Sequence, residues 1–302
     1  MAKRFTFDNT ADAISLDEYI AYCDEHLDPE DVDSVLAGAD KLHALSRNRT
    51  FLIDRLNDYF KHAGELEEVN TYSAQALLLT IRPGYVLRTN TWVKPTTYAG
   101  SDSWERQLYS YDYAHNHNFN LLTVGYLGSG YFTDLYRLVN PGKIVGYLGE
   151  KIDMESSGRL QLGLGDVLLY ERVTDVHIQR APEDLSISIN LMPLDRNISL
   201  TGQYGFDVDN KTISALVGSQ IAQQVDLMRM AGCIGNDQTM DVILHVARTH
   251  PNQNTRLGAL KAACMLRPEE SERIWNDAMN DNSEMVRMAA GKVMLSEAPM
   301  MV

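Results

Sequence analysis

Tyr111-Asp112-Tyr113-Ala114-His115-Asn116-His117-Asn118-Phe119 is the stretch that decides how this chain is read. Two histidines stand one residue apart. An apolar run follows them, Leu121-Leu122-Thr123-Val124-Gly125-Tyr126. On an extended strand, side chains at i and i+2 leave the same face, so His115 and His117 project together. Two imidazoles on one face can grip a metal ion once a third ligand arrives from another strand. His177, in Thr174-Asp175-Val176-His177-Ile178-Gln179, is that candidate. Glu150 and Asp134 are carboxylates that another strand could bring to the same ion instead.

Around this stretch the hydrophobic period is two. Gln75–Ile81 is apolar and β-prone, Pro83-Gly84 signals a turn, and Tyr85–Val93 is rich in β-branched and aromatic residues. Strand-like pieces follow at His117–Leu127, Asp134–Val139, Ile144–Ile152, Val167–Tyr170, Val176–Gln179 and Leu185–Met192. The breakers between them are Gly128-Ser129-Gly130, Asn140-Pro141-Gly142, Ser156-Ser157-Gly158 and Ala181-Pro182-Glu183-Asp184. Many short strands with tight turns predict an antiparallel barrel or sandwich over residues 71–208. Gly125–Gly130 lies between strands and not before a helix, so it reads as a hairpin turn and not as a phosphate loop.

Residues 1–70 read as a helical arm. Leu16, Tyr19, Ile20 and Cys23 recur at helical spacing behind a cap at Ser15 or Asp17. Asp28-Pro29-Glu30-Asp31 turns into a second helix, and Phe51, Leu52, Leu56, Tyr59 and Phe60 stripe a third. His26, His43 and His62 lie on or beside these helices and are set aside as surface or capping residues. Residues 209–302 are helical again and contain a repeat. Asn252–Ala262 aligns with Ser283–Val293, so that Arg256 matches Arg287, Ala259 matches Ala290 and Lys261 matches Lys292, at a spacing of 31 residues. Small residues at such positions let helices approach closely, and the pattern resembles HEAT-type helical hairpins. The expected class is therefore α+β, with a central β-barrel between two helical regions. The C-terminal helices would serve dimerisation or a protein partner.

Composition narrows the function. The net charge of −14 argues against nucleic acid, whose binding rests on clustered Lys and Arg. No apolar run approaches the roughly 18 residues of a membrane span. Cys23, Cys233 and Cys264 are unpaired in pattern and suit a reducing compartment, so a cytoplasmic location is expected. Walker, Rossmann and nucleophile-elbow patterns are missing from the sequence.

The order of features in residues 85–193 resembles the cupin superfamily, a double-stranded β-helix. His115-Asn116-His117, then Gly125 and Gly128, stand where that family's first motif places His-x-His and a glycine. Gly165-Asp166-Val167-Leu168-Leu169-Tyr170 and then His177 stand where its second motif places Gly-Asp, a strand and a histidine. The family's glutamate is replaced by Leu121 and Leu122. The resemblance therefore implies a three-histidine centre, similar to thiol and diketone dioxygenases, holding Fe(II), with Ni, Zn or Cu as chemical alternatives. It implies an oxygenase acting with O2 on a small polar or carboxylate-bearing molecule. Arg88 would anchor the substrate carboxylate, Tyr126 and Tyr170 would join it as catalytic residues, and Tyr113 and Gln179 would be further polar groups near the histidines. A 2-oxoglutarate-dependent hydroxylase is the second expectation, although Ser186–Leu191 holds no arginine and Arg180 is too close to His177. The third is a non-catalytic barrel used for binding or as a scaffold.

Overall fold

The computed structural model describes residues 2–8, 12–61, 73, 75–96, 101–196, 198, 200–217 and 220–295. His62 lies outside them. The chain divides into two compact units, residues 1–141 with 153–198, and residues 142–152 with 199–302.

The first unit runs β1 (Lys3–Phe5), α1 (Leu16–His26), α2 (Val32–Ala37), α3 (Ala39–Ser46), α4 (Phe51–Lys61), β2 (Ala76–Arg82), β3 (Tyr85–Trp92), α5 (Ser101–Leu108), β4 (His115–Asn116), β5 (Leu121–Leu127), β6 (Tyr131–Leu138), β7 (Met154–Leu162), β8 (Val167–Tyr170), β9 (Asp175–Gln179) and β10 (Ser186–Pro193). One antiparallel sheet has the order β1-β8-β5-β10-β3-β2, and a second contains β4-β9-β6-β7. No closed barrel forms among the described residues: the strands make separate sheets facing one another. The N-terminal region, expected to be all helix, opens with β1. Three residues are too few to show a period, and what orders them is the free edge of β8, with Arg4 opposite Leu168.

Alternation along the first sheet decides its two surfaces. Tyr85, Leu87, Leu122, Val124, Tyr126, Val167, Leu169, Ile189 and Leu191 pack with Tyr19, Cys23, Leu42, Leu45, Phe51 and Leu52 of the helices. The alternate residues Val86, Trp92, Leu121, Leu168, Tyr170 and Met192 pack with Tyr131, Leu135 and Leu162 of the second sheet. Both faces are thus buried, and each buried large apolar side chain contributes roughly 1.5–3 kcal/mol. α1 is held at its start by a capping box, in which Glu18 N donates to Ser15 Oγ (3.1 Å) and Ser15 N to Glu18 Oε2 (2.7 Å).

Four expected elements differ. His117–Leu127 is not one strand: residues 117–120 leave the ladder in a bend, and β5 begins at Leu121. Ser156-Ser157-Gly158 is not a breaker but lies inside β7. The β6–β7 register passes from Leu135 opposite Gly158 to Tyr136 opposite Ser156, leaving Ser157 as the extra residue of a bulge. Gly158, at φ 94°, supplies the backbone that the bulge needs. Ile144–Ile152 is a loop and not a strand; the Glu150 carboxylate accepts from the amides of Val145 (2.8 Å), Gly146 and Tyr147 and so replaces ladder partners. Gly128-Ser129-Gly130 is not a hairpin, because β5 and β6 belong to different sheets. It is the corner where the chain changes sheet, tied by Ser129 N and Oγ donating to Asp184.

The second unit carries β11 (Tyr204–Asp207), β12 (Thr212–Leu216), α6 (Gln220–Ile234), α7 (Asp237–Thr249), α8 (Gln253–Leu266), α9 (Ser271–Ala278) and α10 (Glu284–Leu295). Its helices pack through Ala259, Ala262, Ala263, Ala278 and Ala290 around Ile243, Ile274, Trp275 and Val286. Among the described residues no helix is long and apolar enough to cross a membrane.

Candidate metal centre

β4 and β9 pair antiparallel with His115 directly opposite His177. His117 lies just beyond β4, and its ring stays beside that of His115, with centroids 5.1 Å apart. His177 lies 4.5 Å from His115 and 4.8 Å from His117 by the same measure. The Nε2 atoms of His115 and His177 are 3.1 Å apart, and one ligand nitrogen from each of the three rings falls within 4.8 Å of the others. Two imidazole nitrogens bound about 2.1 Å from one ion, at angles between tetrahedral and octahedral, stand roughly 3.0–3.4 Å apart. The His115–His177 spacing matches this.

The surroundings fix each ring. His115 Nδ1 lies 3.0 Å from the Tyr113 carbonyl; with the proton on Nδ1 it donates there and leaves the Nε2 lone pair facing His177. Tyr113 stacks on His115 at 5.4 Å, Phe119 stacks on His117 at 4.7 Å, and Tyr170 meets His177 edge-on at 4.5 Å. Gln179 Nε2 lies 3.4 Å from the His177 ring nitrogens. His177 is buried, and His115 and His117 are partly buried.

Electrostatics hold all three rings neutral, the form that binds a metal. Desolvation lowers the His115 pKa, partly offset by its bond to Tyr113. Desolvation also pushes His117 well below its ordinary value, and the neighbouring His115 ring and the Arg88 guanidinium make a proton there still less favourable. His177 is lowered in the same way by burial and by its two histidine neighbours.

The other sequence candidates separate. Tyr170 is brought to the cluster through His177. Its hydroxyl lies beside Thr133 and Tyr131, and burial pushes its pKa up to about 12. Arg88, half-buried on β3, alternates with Val86 and Trp92 toward the space between the sheets, near enough to His117 to lower its basicity. Tyr126 is not brought there. It shares the opposite face of β5 with Leu122 and Val124, packs against Phe51, and donates from its hydroxyl to the Asn48 carbonyl (3.1 Å). Asp134 lies on the outer face of β6, taken up by Arg180 and Arg159, and so adds no carboxylate to the histidines. Among the described residues the cluster is three histidines alone.

Asn90, Thr123, Ser188 and Asn190 were missed as interior polar groups. Their signal was in the sequence: Ser186-Ile187-Ser188-Ile189-Asn190 alternates polar with apolar on a strand whose apolar half faces the helices.

No family model and no curated protein sequence matches the chain. Among solved structures it is similar to the hydroquinone 1,2-dioxygenase PnpCD in complex with Cd2+ and 4-hydroxybenzonitrile. Identity there is 12%, over 42% of this chain and 68% of that one, with a TM-score of 0.28. The hydroquinone 1,2-dioxygenase of Sphingomonas sp. TTNP3 gives 11%, 41%, 68% and 0.28 in the same order. Salicylate 1,2-dioxygenase of Pseudoaminobacter salicylatoxidans gives 11%, 47%, 31% and 0.25. At these TM-scores the likenesses carry no weight in assigning chemistry, which rests on the site's own geometry.

Proposed function

We propose that His115, His117 and His177 hold one divalent metal ion, read as Fe(II), and that the protein is a cupin-type mononuclear oxygenase acting on a small carboxylate-bearing substrate with O2. The observation that carries this is the arrangement of the three imidazoles, with two Nε2 atoms 3.1 Å apart and one ligand nitrogen of each ring within 4.8 Å of the others. Neutral imidazole suits iron, and equally Zn, Ni and Cu; bound there, Fe(II) would supply the electrons that O2 chemistry needs. The chain's residues do the rest. Tyr113, Phe119 and Tyr170 lock the ring planes, the Tyr113 carbonyl sets the His115 tautomer, and Arg88 holds the substrate carboxylate in a setting of low dielectric, where such a pair is strong. Arg180, which a 2-oxoglutarate site would want free, is engaged by Asp112 and Asp134. We read the C-terminal helices as a HEAT-like module for a second copy or a protein partner.

Metal analysis of the purified full chain tests the centre. Wild type is expected to retain about one ion per chain, with His115→Ala and His177→Ala each losing at least about tenfold in occupancy, as loss of one of three ligands implies. Equal low metal in all three proteins sinks the reading.

A further inference from the structure

The face of the first sheet that meets Tyr170 and the second sheet carries a polar patch that ligation of a metal does not use. On β3, Arg88 and Asn90 share the side of Val86 and Trp92. On β10, Ser188 and Asn190 share the side of Met192, while Ile187, Ile189 and Leu191 face the helices. The register sets Arg88 opposite Asn190, Asn90 opposite Ser188, and Asn190 opposite Thr123. Residues directly opposite in antiparallel strands have their Cβ atoms about 4.5–5.5 Å apart, so the five side chains form one contiguous surface.

Hydrogen bonds orient this surface. Trp92 Nε1 donates to Ser188 Oγ (3.0 Å), and the Ser188 hydroxyl donates to Asn190 Oδ1 (3.3 Å). Thr123 Oγ1 donates to the same oxygen (2.6 Å). With its oxygen held by two hydroxyls, the Asn190 amide turns Nδ2 the other way. Among the described residues that donor has no acceptor, although Asn190 is only 3% exposed. Asn90, 7% exposed, presents an Oδ1 with no donor among the described residues. Buried polar atoms left unmatched are rare because each is costly. Here an unmatched donor and an unmatched acceptor stand in one patch beside an arginine. A hydroxyl group is the complement of that pair, since it accepts one hydrogen bond and donates another.

We propose that Asn190 Nδ2 and Asn90 Oδ1 read the hydroxyl of a small hydroxy acid whose carboxylate is held at Arg88. This rests on the carboxylate-substrate reading of the same site but not on the identity of the metal. It makes the two asparagines specificity-determining residues. An acid lacking the hydroxyl leaves both amide atoms unpaired on binding, which is the situation in which sites discriminate strongly.

The test is calorimetric titration of the full chain with lactate and with propionate, on protein as purified and again after dialysis against EDTA, with metal content measured on each sample. Lactate is expected to bind at least about tenfold more tightly than propionate in both samples, the size of effect one lost buried hydrogen bond gives. In Asn190→Leu and Asn90→Leu, each checked for wild-type circular dichroism, the ratio should fall to about one, as expected when the pair no longer reads the hydroxyl. Equal binding of the two acids by wild type, or binding of neither, overturns the proposal. So does a preference that disappears with EDTA, because chelation of an ion would then be its source, or a preference that survives in folded variants. Should neither variant fold, the wild-type ratio after EDTA decides alone. Discrimination by protein that carries no metal as purified sinks only the metal centre, and metal in the purified protein without discrimination sinks only this assignment.

Discussion

Asn116, Asn118 and Asn120 hold the histidine-bearing segment in place through the backbone around it. Asn116 Nδ2 donates to the Val173 carbonyl (3.0 Å), Asn118 Nδ2 to the Ile198 carbonyl (2.8 Å), and Asn120 Oδ1 accepts from Arg172 N (3.0 Å). All three are buried. The alternation His-Asn-His-Asn thus separates two tasks by face, with imidazoles toward the cluster and amides toward neighbouring backbone. Asn116→Ala is expected to cost about 1–3 kcal/mol in urea unfolding, because a buried carbonyl loses a donor. It should also lower metal retention, since both flanking histidines depend on that backbone; an unchanged metal content would show that the strand is held by other means. Parity made His115 and His117 legible in the sequence, because two residues of spacing suffice to set a shared face. The same rule, carried along β5, would have put Tyr126 with Leu122 and Val124 and away from the histidines. Proximity in sequence to the motif was the wrong criterion for it.

At the scale of elements, the bulge in β7 was illegible because Ser-Ser-Gly carries the chemistry of a turn. Only the pairing with β6 shows that the strand continues through it. Gly158 sits at φ 94° with open space where a Cβ would go, so Gly158→Ala tests backbone strain without a clash. It should lower stability by about 1–2 kcal/mol, read as a lower urea midpoint at unchanged slope. A neutral result would mean that the bulge relaxes. On the outer face of the same sheet Asp134 of β6 joins Arg159 of β7 and Arg180 beyond β9, and Arg180 reaches Asp112. The Asp134 carboxyl is held below its ordinary value, first by Arg159 and then, against a desolvation cost, by Arg180. Below an unfolded-state value of about 3.9 the unfolded chain binds the proton first, so this brace contributes its full stability above that pH. The contribution is lost as pH falls through the folded value. The stability gap between wild type and Asp134→Asn should therefore be constant from neutral pH to about pH 4.5 and narrow below it. A gap that stays constant to pH 3 would show that the charge of Asp134 is not what matters.

At the scale of the molecule, the helices from Leu16 to Lys61 and from Gln220 to Leu295 follow the helical period, whereas β1 and β12 interrupt the stretches expected to be helical and the division into units left no pattern. Residues 142–152 lie in the β region of the sequence but hydrogen-bond within the second unit, as where Ile213 N donates to the Glu150 carbonyl (3.0 Å). Such long-range pairings leave no local pattern. The 31-residue repeat, by contrast, has a physical counterpart. Arg256, from the first copy, forms a two-pronged pair with Asp281 (2.8 and 3.1 Å), just ahead of the second copy, while Arg287 of that copy donates to the Asp281 carbonyl (2.6 Å). Arg256 and Asp281 keep only 11% and 13% of their side-chain surface exposed. Truncating one partner leaves the other charge buried and unmatched, so Arg256→Ala should destabilise the second unit by about 3–5 kcal/mol. The three histidines all belong to the first unit. In Arg256→Ala that also carries Trp92→Phe and Trp104→Phe, so that Trp275 alone emits, denaturant unfolding with metal retention measured in parallel should show the second unit melting early while metal stays bound. Loss of both at one midpoint would mean that the units fold as one cooperative body.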